Sequence, residues 1–217
     1  MIKAVIFDMD GLIIDSEPYW DKARRIMATE AGKDWNDDDH KAVMGVSTRE
    51  WATYMITRLE LEMSPEAVEK QIITRMVELY QQQIPYLPGA AEAVALSATQ
   101  YPTGLASGSP RSLIDTVTND KALRGKFKVI ISGDQVAQGK PSPDIYLATA
   151  AAMGVKPEVC VCLEDSGNGI LAGKNAGMKV IAVPDERLPP APEKLIKADV
   201  VLEGLPEFSI DIIENLT

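Results

Sequence analysis

Met1-Ile2-Lys3-Ala4-Val5-Ile6-Phe7-Asp8-Met9-Asp10-Gly11 is the stretch on which the fold turns. A short β-branched and aromatic run, Ala4 to Phe7, reads as a buried strand. Two carboxylates follow it at once, and Gly11 releases the chain into a turn. In open parallel sheets, ligands bind beyond the carboxyl ends of the strands, which is where Asp8 and Asp10 fall. Carboxylates about 4 Å apart repel by roughly 4 kcal/mol at an effective dielectric near 20, and a divalent cation removes that cost. On these residues alone, a metal-binding pair and a pair of solvated turn aspartates both remain open.

Outward from that run, similar ones recur: Thr103 to Ala106, Val129 to Ile131, Val159 to Leu163, Val180 to Val183 and Val200 to Leu202, with helical segments between them. This alternation predicts an α/β fold with a mostly parallel sheet covered by helices on both faces. One interval breaks the rhythm. Between the first run and Pro88-Gly89, some eighty residues carry helical periodicity and no convincing strand. An inserted helical domain over 16–85 explains it, with the catalytic core formed by 1–15 and 86–217. Its helices are expected at Glu17 to Ala31, Asp37 to Met44, Thr48 to Glu60 and Pro65 to Gln83. Ser64-Pro65, Ser109-Pro110 and Ser142-Pro143 each offer a capping hydroxyl before proline, and Ser47-Thr48-Arg49-Glu50 reads as a capping box.

Three further strand ends carry polar groups. Leu105-Ala106-Ser107-Gly108-Ser109 supplies a hydroxyl and small residues that let backbone amides approach a phosphate. Gly139-Lys140-Pro141-Ser142-Pro143-Asp144 places a lysine just before a helix, held rigidly by the prolines that follow it. Leu163-Glu164-Asp165-Ser166-Gly167-Asn168-Gly169 places a second acidic pair after the fourth run. A lone lysine or acidic pair is usually a surface feature; four such sets at strand ends are hard to explain as solvated decoration.

Asp8-Met9-Asp10-Gly11 with Asp15-Ser16, Ser107, Lys140-Pro141 and Glu164-Asp165-Ser166 resemble, in order and spacing, the four motifs of the haloacid dehalogenase superfamily, in the branch with a helical cap inserted after the first strand. The resemblance implies a Rossmann-like core, a mobile cap that closes over the substrate, and a magnesium-dependent phosphatase acting through a phosphoryl-aspartate. It implies that Asp8 is the nucleophile and Asp10 the general acid and base. Ser107, Gly108 and Lys140 would bind the phosphoryl group. Mg2+ would be held by Asp8, the backbone carbonyl of Asp10 and Asp165, with Glu164 supporting. Retention of Asp10 argues against dehalogenase and phosphonate chemistry.

The runner-up implied by the same resemblance is a sugar phosphomutase similar to β-phosphoglucomutase. Such mutases carry a hinge histidine where this chain has Trp20. The string Asp15-Ser16-Glu17-Pro18-Tyr19-Trp20 resembles instead phosphatases acting on 2-deoxyglucose 6-phosphate and other hexose phosphates. His40, within Asp37-Asp38-Asp39-His40, is expected at the surface. Within the cap, Gly45-Val46-Ser47-Thr48-Arg49 resembles a substrate-specificity loop, so Arg49 and Trp20 are candidate substrate contacts. Trp51 and Tyr54 could stack on a sugar, although aromatics at helical spacing usually belong to a core.

Composition narrows the partners. Of 217 residues, 22 are Lys or Arg and 32 Asp or Glu, a formal net charge of -10. That balance gives no general attraction to nucleic acid or an anionic membrane surface. No stretch reaches the ~18 apolar residues that spanning requires, and the first apolar run is too short for a signal peptide. The expectation is a soluble, cytoplasmic monomer whose partner is a small phosphorylated metabolite. Cys160 and Cys162, two apart on a strand, are expected to be reduced core residues.

Overall fold

The computed structural model describes residues 1–44, 46, 48–185 and 187–216. The chain divides into two compact units, Met1–Asp15 with Pro85–Thr217, and Ser16–Ile84.

Among the described residues, the first unit is built on six parallel strands: β1 (Ala4–Phe7), β2 (Thr103–Ser107), β3 (Val129–Ser132), β4 (Cys160–Glu164), β5 (Lys179–Ala182) and β6 (Val200–Val201). Their order is β3-β2-β1-β4-β5-β6. The order reverses at β1, so β1 lies centrally and its neighbours β2 and β4 leave it on opposite sides. That reversal is the switch point at which ligands bind in such sheets. Every residue of β1, β2 and β4 is buried, which is why these strands read as apolar runs without alternation.

The connecting helices are α5 (Ala90–Gln100), α6 (Arg111–Thr118), α7 (Asp144–Met153), α8 (Gly167–Asn175), α9 (Pro192–Leu195) and α10 (Ile210–Glu214). Strand period 2 sorts the core. Ala4 and Ile6 align with Cys160 and Cys162, and these pack with Ala106, Val180 and Ala182 against Ile145, Tyr146 and Ala150 of α7 and Ile170 and Ala172 of α8. Both cysteines are free and fully buried, as expected; burial pushes the Cys160 thiol up to about 11.

The chain leaves this unit through a tight crossing: Asp15 N–H donates to the carbonyl of Pro85, and Leu87 N–H to that of Ile13. The second unit comprises α1 (Glu17–Glu30), α2 (Asp37–Val43), α3 (Thr48–Leu59) and α4 (Pro65–Gln82), numbered before α5 in chain order. Its apolar stripes bury Ala23, Met27, Trp35, Met55, Leu59, Val68, Ile72 and Met76.

Helix starts correct the sequence reading in two places. Ser64 caps α4 as expected, its Oγ accepting from Ala67 N–H. Ser109 and Ser142 cap nothing: Pro110 and Pro143 occupy the cap positions without a side-chain bond. Both hydroxyls are drawn to carboxylates instead, Ser109 to Asp10 and Ser142 to Asp144. The Ser47 half of the expected box, like Gly45 of the expected specificity loop, lies outside the described residues. A box absent from the sequence reading starts α2, where Asn36 Oδ1 accepts from Asp38 and Asp39 N–H while Asp39 accepts from Asn36 N–H.

Candidate active site

Asp8 follows β1, Ser107 ends β2 and Glu164 ends β4, so the sheet order alone gathers three of the four sequence motifs at the switch point. Lys140 arrives from the loop before α7. Its ammonium donates to Asp8 Oδ1 at 2.7 Å, to Glu164 Oε1 at 2.5 Å and to the carbonyl of Ala106 at 3.3 Å. An ammonium has three N–H groups, and here each has an acceptor.

Three carboxylates stand around this single cation. Asp8, Glu164 and Asp165 each present an oxygen within 4.8 Å of the others. Burial, countered by Lys140 and reinforced by Glu164 and Asp10, pushes the Asp8 carboxyl up to about 7. Burial, with Glu164 and Asp8, raises Asp165 well above the carboxylate range. Lys140 is held above its ordinary value: burial would lower it, but the charges of Asp8 and Glu164 prevail. With all three carboxylates ionised, the cluster would carry more negative charge than Lys140 balances, which is why burial and mutual repulsion raise Asp8 and Asp165. A hard divalent cation suits it, since oxygen donors at this spacing match magnesium's preferences.

The space is made by glycines. A Cβ on Gly11, whose φ is 75°, would overlap the Asp165 carboxylate, and one on Gly169 would overlap that of Glu164. Ser166 Oγ accepts from Gly169 N–H as the cap of α8 and lies 3.3 Å from Glu164 Oε2.

Asp10 has a different environment. Its Oδ2 accepts from Ser107 Oγ at 3.0 Å and from Ser109 Oγ at 2.8 Å, while Oδ1 is buried without a hydrogen-bond partner. Ser107 Oγ in turn accepts from Ser109 N–H. The Asp10 carboxylate is thus held by the β2 hydroxyls and is not one of the three clustered acids. Of the residues expected at a metal, Asp8, Glu164 and Asp165 bring their carboxylates together, while Asp10, expected there through its backbone carbonyl, turns its side chain to the two serines.

Gly108 is exposed beside Ser107, and a Cβ on Gly133 would meet its carbonyl oxygen. In the helical unit, Arg49 is exposed at the start of α3. Trp20 is half-buried, its ring 6.2 Å from that of Trp51, with the buried Arg24 guanidinium 5.5 Å from each ring. Trp51 and Tyr54 belong to the packing of this unit, Tyr54 through Trp35 and a hydrogen bond to Asp39. His40 is not a surface residue. It is half-buried, 3.7 Å from Glu17 Oε1 and 3.4 Å from Asp21 Oδ1.

Sequence reading missed two members of the core cluster. Ser109 was legible only as a cap, although it sits two residues from Ser107, where a turn returns it to the same carboxylate. Tyr146 gave no signal, being one aromatic in the apolar helix α7. Its hydroxyl donates to Glu164 Oε1 at 2.6 Å.

The profile of the haloacid dehalogenase-like hydrolases matches residues 2–177. Hexitol phosphatase B of Escherichia coli is 37% identical over 216 residues, covering 96% of this chain and 95% of that protein. A phosphorylated carbohydrates phosphatase of Thermotoga maritima is 34% identical over 181 residues, covering 83% and 84%. Among solved structures, β-phosphoglucomutase from Clostridium difficile superposes with a TM-score of 0.79 at 26% identity, covering 99% and 96%.

Proposed function

The chain belongs to the haloacid dehalogenase-like hydrolases and is a phosphatase, and from that premise we propose that it hydrolyses the phosphate monoesters of small sugars and sugar alcohols through a phosphoryl group carried on Asp8. The observation that supports this most is the buried Asp8 carboxylate, bonded to Lys140 in a cluster with buried Glu164 and half-buried Asp165.

In this reading, an oxygen of Asp8 attacks phosphorus in line with the ester oxygen, forming the acyl phosphate as the ester P–O bond breaks. Asp10 gives its proton to the departing sugar oxygen. Its Oδ1, which makes no hydrogen bond, is the oxygen available to hold that proton, and the Ser107 and Ser109 hydroxyls keep the carboxyl in one orientation. Asp10 then takes a proton from the water that attacks phosphorus, the bond from phosphorus to Asp8 breaks, and inorganic phosphate leaves. Such general acid and base work contributes about 10²- to 10⁴-fold. Lys140 binds a phosphoryl oxygen, with Ser107 and the Gly108 backbone beside it. Mg2+ would be held by the Asp8, Glu164 and Asp165 carboxylates, with the Asp10 carbonyl as a further ligand, and would supply charge neutralisation for an anion entering an acidic site.

Hexitol phosphatase B and the carbohydrate phosphatase point to sugar and polyol phosphates as the substrate class. Arg49 and Trp20 are the proposed contacts to the sugar. The likeness to β-phosphoglucomutase favours a second reading, in which the phosphoryl group returns to sugar; Trp20, where such mutases are expected to place histidine, speaks against it. The test incubates hexose 6-phosphates, hexitol phosphates and β-glucose 1-phosphate, the last with a trace of bisphosphate, and follows phosphate and isomerised sugar together. Stoichiometric phosphate without isomer is expected. Isomer accumulating faster than phosphate would replace hydrolase with mutase.

A further inference from the structure

Glu164 is fully buried, and its Oε1 accepts two short hydrogen bonds, 2.5 Å from Lys140 Nζ and 2.6 Å from Tyr146 OH. Tyr146 is itself fully buried, and the Lys140 ammonium stands 5.2 Å from its ring centroid. The placement follows from strand period: Glu164 lies two residues beyond Cys162, on the sheet face that α7 covers, so a tyrosine on α7 reaches it. We propose that Tyr146 is a positioning residue, which sets how tightly Glu164 holds Lys140 and so how far Lys140 is released to the phosphoryl group. The inference rests on the phosphatase reading above.

All three Lys140 donors are committed, to Asp8, Glu164 and Ala106. A phosphoryl oxygen must take over one of them, and the Glu164 bond is the shortest. By donating to the same oxygen, the Tyr146 hydroxyl draws off part of its negative charge, which weakens the pull of Glu164 on the ammonium. Removing the hydroxyl leaves Oε1 satisfied by Lys140 alone, and the ammonium is drawn toward Glu164 and away from Asp8. A hydrogen bond to an ionised acceptor is stronger than one between neutral groups, so about a tenfold effect is expected from its loss.

Tyr146→Phe keeps the ring against Lys140 and removes only the hydroxyl. The experiment compares the unaltered protein, Tyr146→Phe, Glu164→Gln and the double variant with saturating magnesium. Calorimetry measures affinity for inorganic phosphate, which needs no turnover, and every value is referred to the folded fraction. Tyr146→Phe is expected to weaken phosphate binding and lower kcat/KM by about tenfold each, whereas in the Glu164→Gln background the same change shifts phosphate affinity by less than about twofold, because the residue it acts through is gone. Unchanged phosphate affinity in Tyr146→Phe overturns the proposal, as does an equal loss in both backgrounds. A protein that binds phosphate with the expected pattern but hydrolyses no sugar phosphate refutes the substrate reading and leaves the Tyr146 assignment standing; one that binds no phosphate at all refutes both.

Discussion

At the scale of single residues, the site is a contest between carboxylates and one cation, and each partner has its own expected loss. Asp8→Asn removes the proposed nucleophile while keeping a side chain of the same shape for Lys140; phosphate release is expected to vanish with the far-ultraviolet circular dichroism unchanged. Residual turnover in that variant, free of contaminating phosphatase, rules out the covalent route. Asp10→Ala strips the proton carrier and leaves Ser107 and Ser109 without their shared acceptor, so kcat is expected to fall by about 10²- to 10⁴-fold with a smaller change in KM. The metal belongs to this scale too. Excess chelator is expected to silence the enzyme and magnesium to restore it, with calcium a poor substitute because its looser coordination misplaces in-line attack.

Elements position these residues through what they leave out as much as through what they present. Gly169 lies in the first turn of α8, where a Cβ would overlap the buried Glu164 carboxylate. Gly169→Ala is therefore expected to displace Glu164, destabilise the fold by about 1–3 kcal/mol and cost activity beyond the loss of stability; urea unfolding alongside kinetics on folded protein separates the two. Ser64→Ala, remote in sequence from every proposed site residue, removes the α4 cap and is expected to cost about 1 kcal/mol in the same unfolding experiment. The elements were also the most legible level of the sequence. All six strands fall within one residue of their apolar runs, and the four inserted helices start where expected and end one residue early. What failed was the assignment of Ser109 and Ser142 as caps. At both positions proline, not serine, takes the cap position, which leaves each hydroxyl one residue short of the helix start, where it donates to a carboxylate.

For the whole molecule, burying acids without enough cations ties stability to pH and to metal. The Asp8 carboxyl is raised from the ordinary 3.8 to about 7, so between those values the folded state binds more protons than the unfolded one, and this group's contribution to stability is lost as pH rises through that window. Metal-free protein is thus expected to lose melting temperature between about pH 4 and 7 through Asp8, and magnesium to restore it increasingly toward the upper end, where it no longer competes with the proton. At about 100 times its dissociation constant the ion adds about 2.7 kcal/mol; a magnesium effect equal at pH 5 and 7.5 would contradict the linkage. Here the division between sequence and tertiary structure is plain. Asp8, Asp10, Ser107, Lys140, Glu164 and Asp165 were legible because each stands just after an apolar run or, for Lys140, just before a proline-marked helix start, and a mostly parallel sheet follows from the alternation of strand and helix periodicity; the strand order that brings them together does not. The partners were not legible. That Glu164 joins Asp8 and Asp165 while Asp10 turns to two serines, that Tyr146 shares Glu164 with Lys140, and that His40 faces two acids inside a helical unit all depend on distances between residues far apart in the chain. Hydrogen-bond competition among buried groups is settled by those distances, and local pattern carries no record of them.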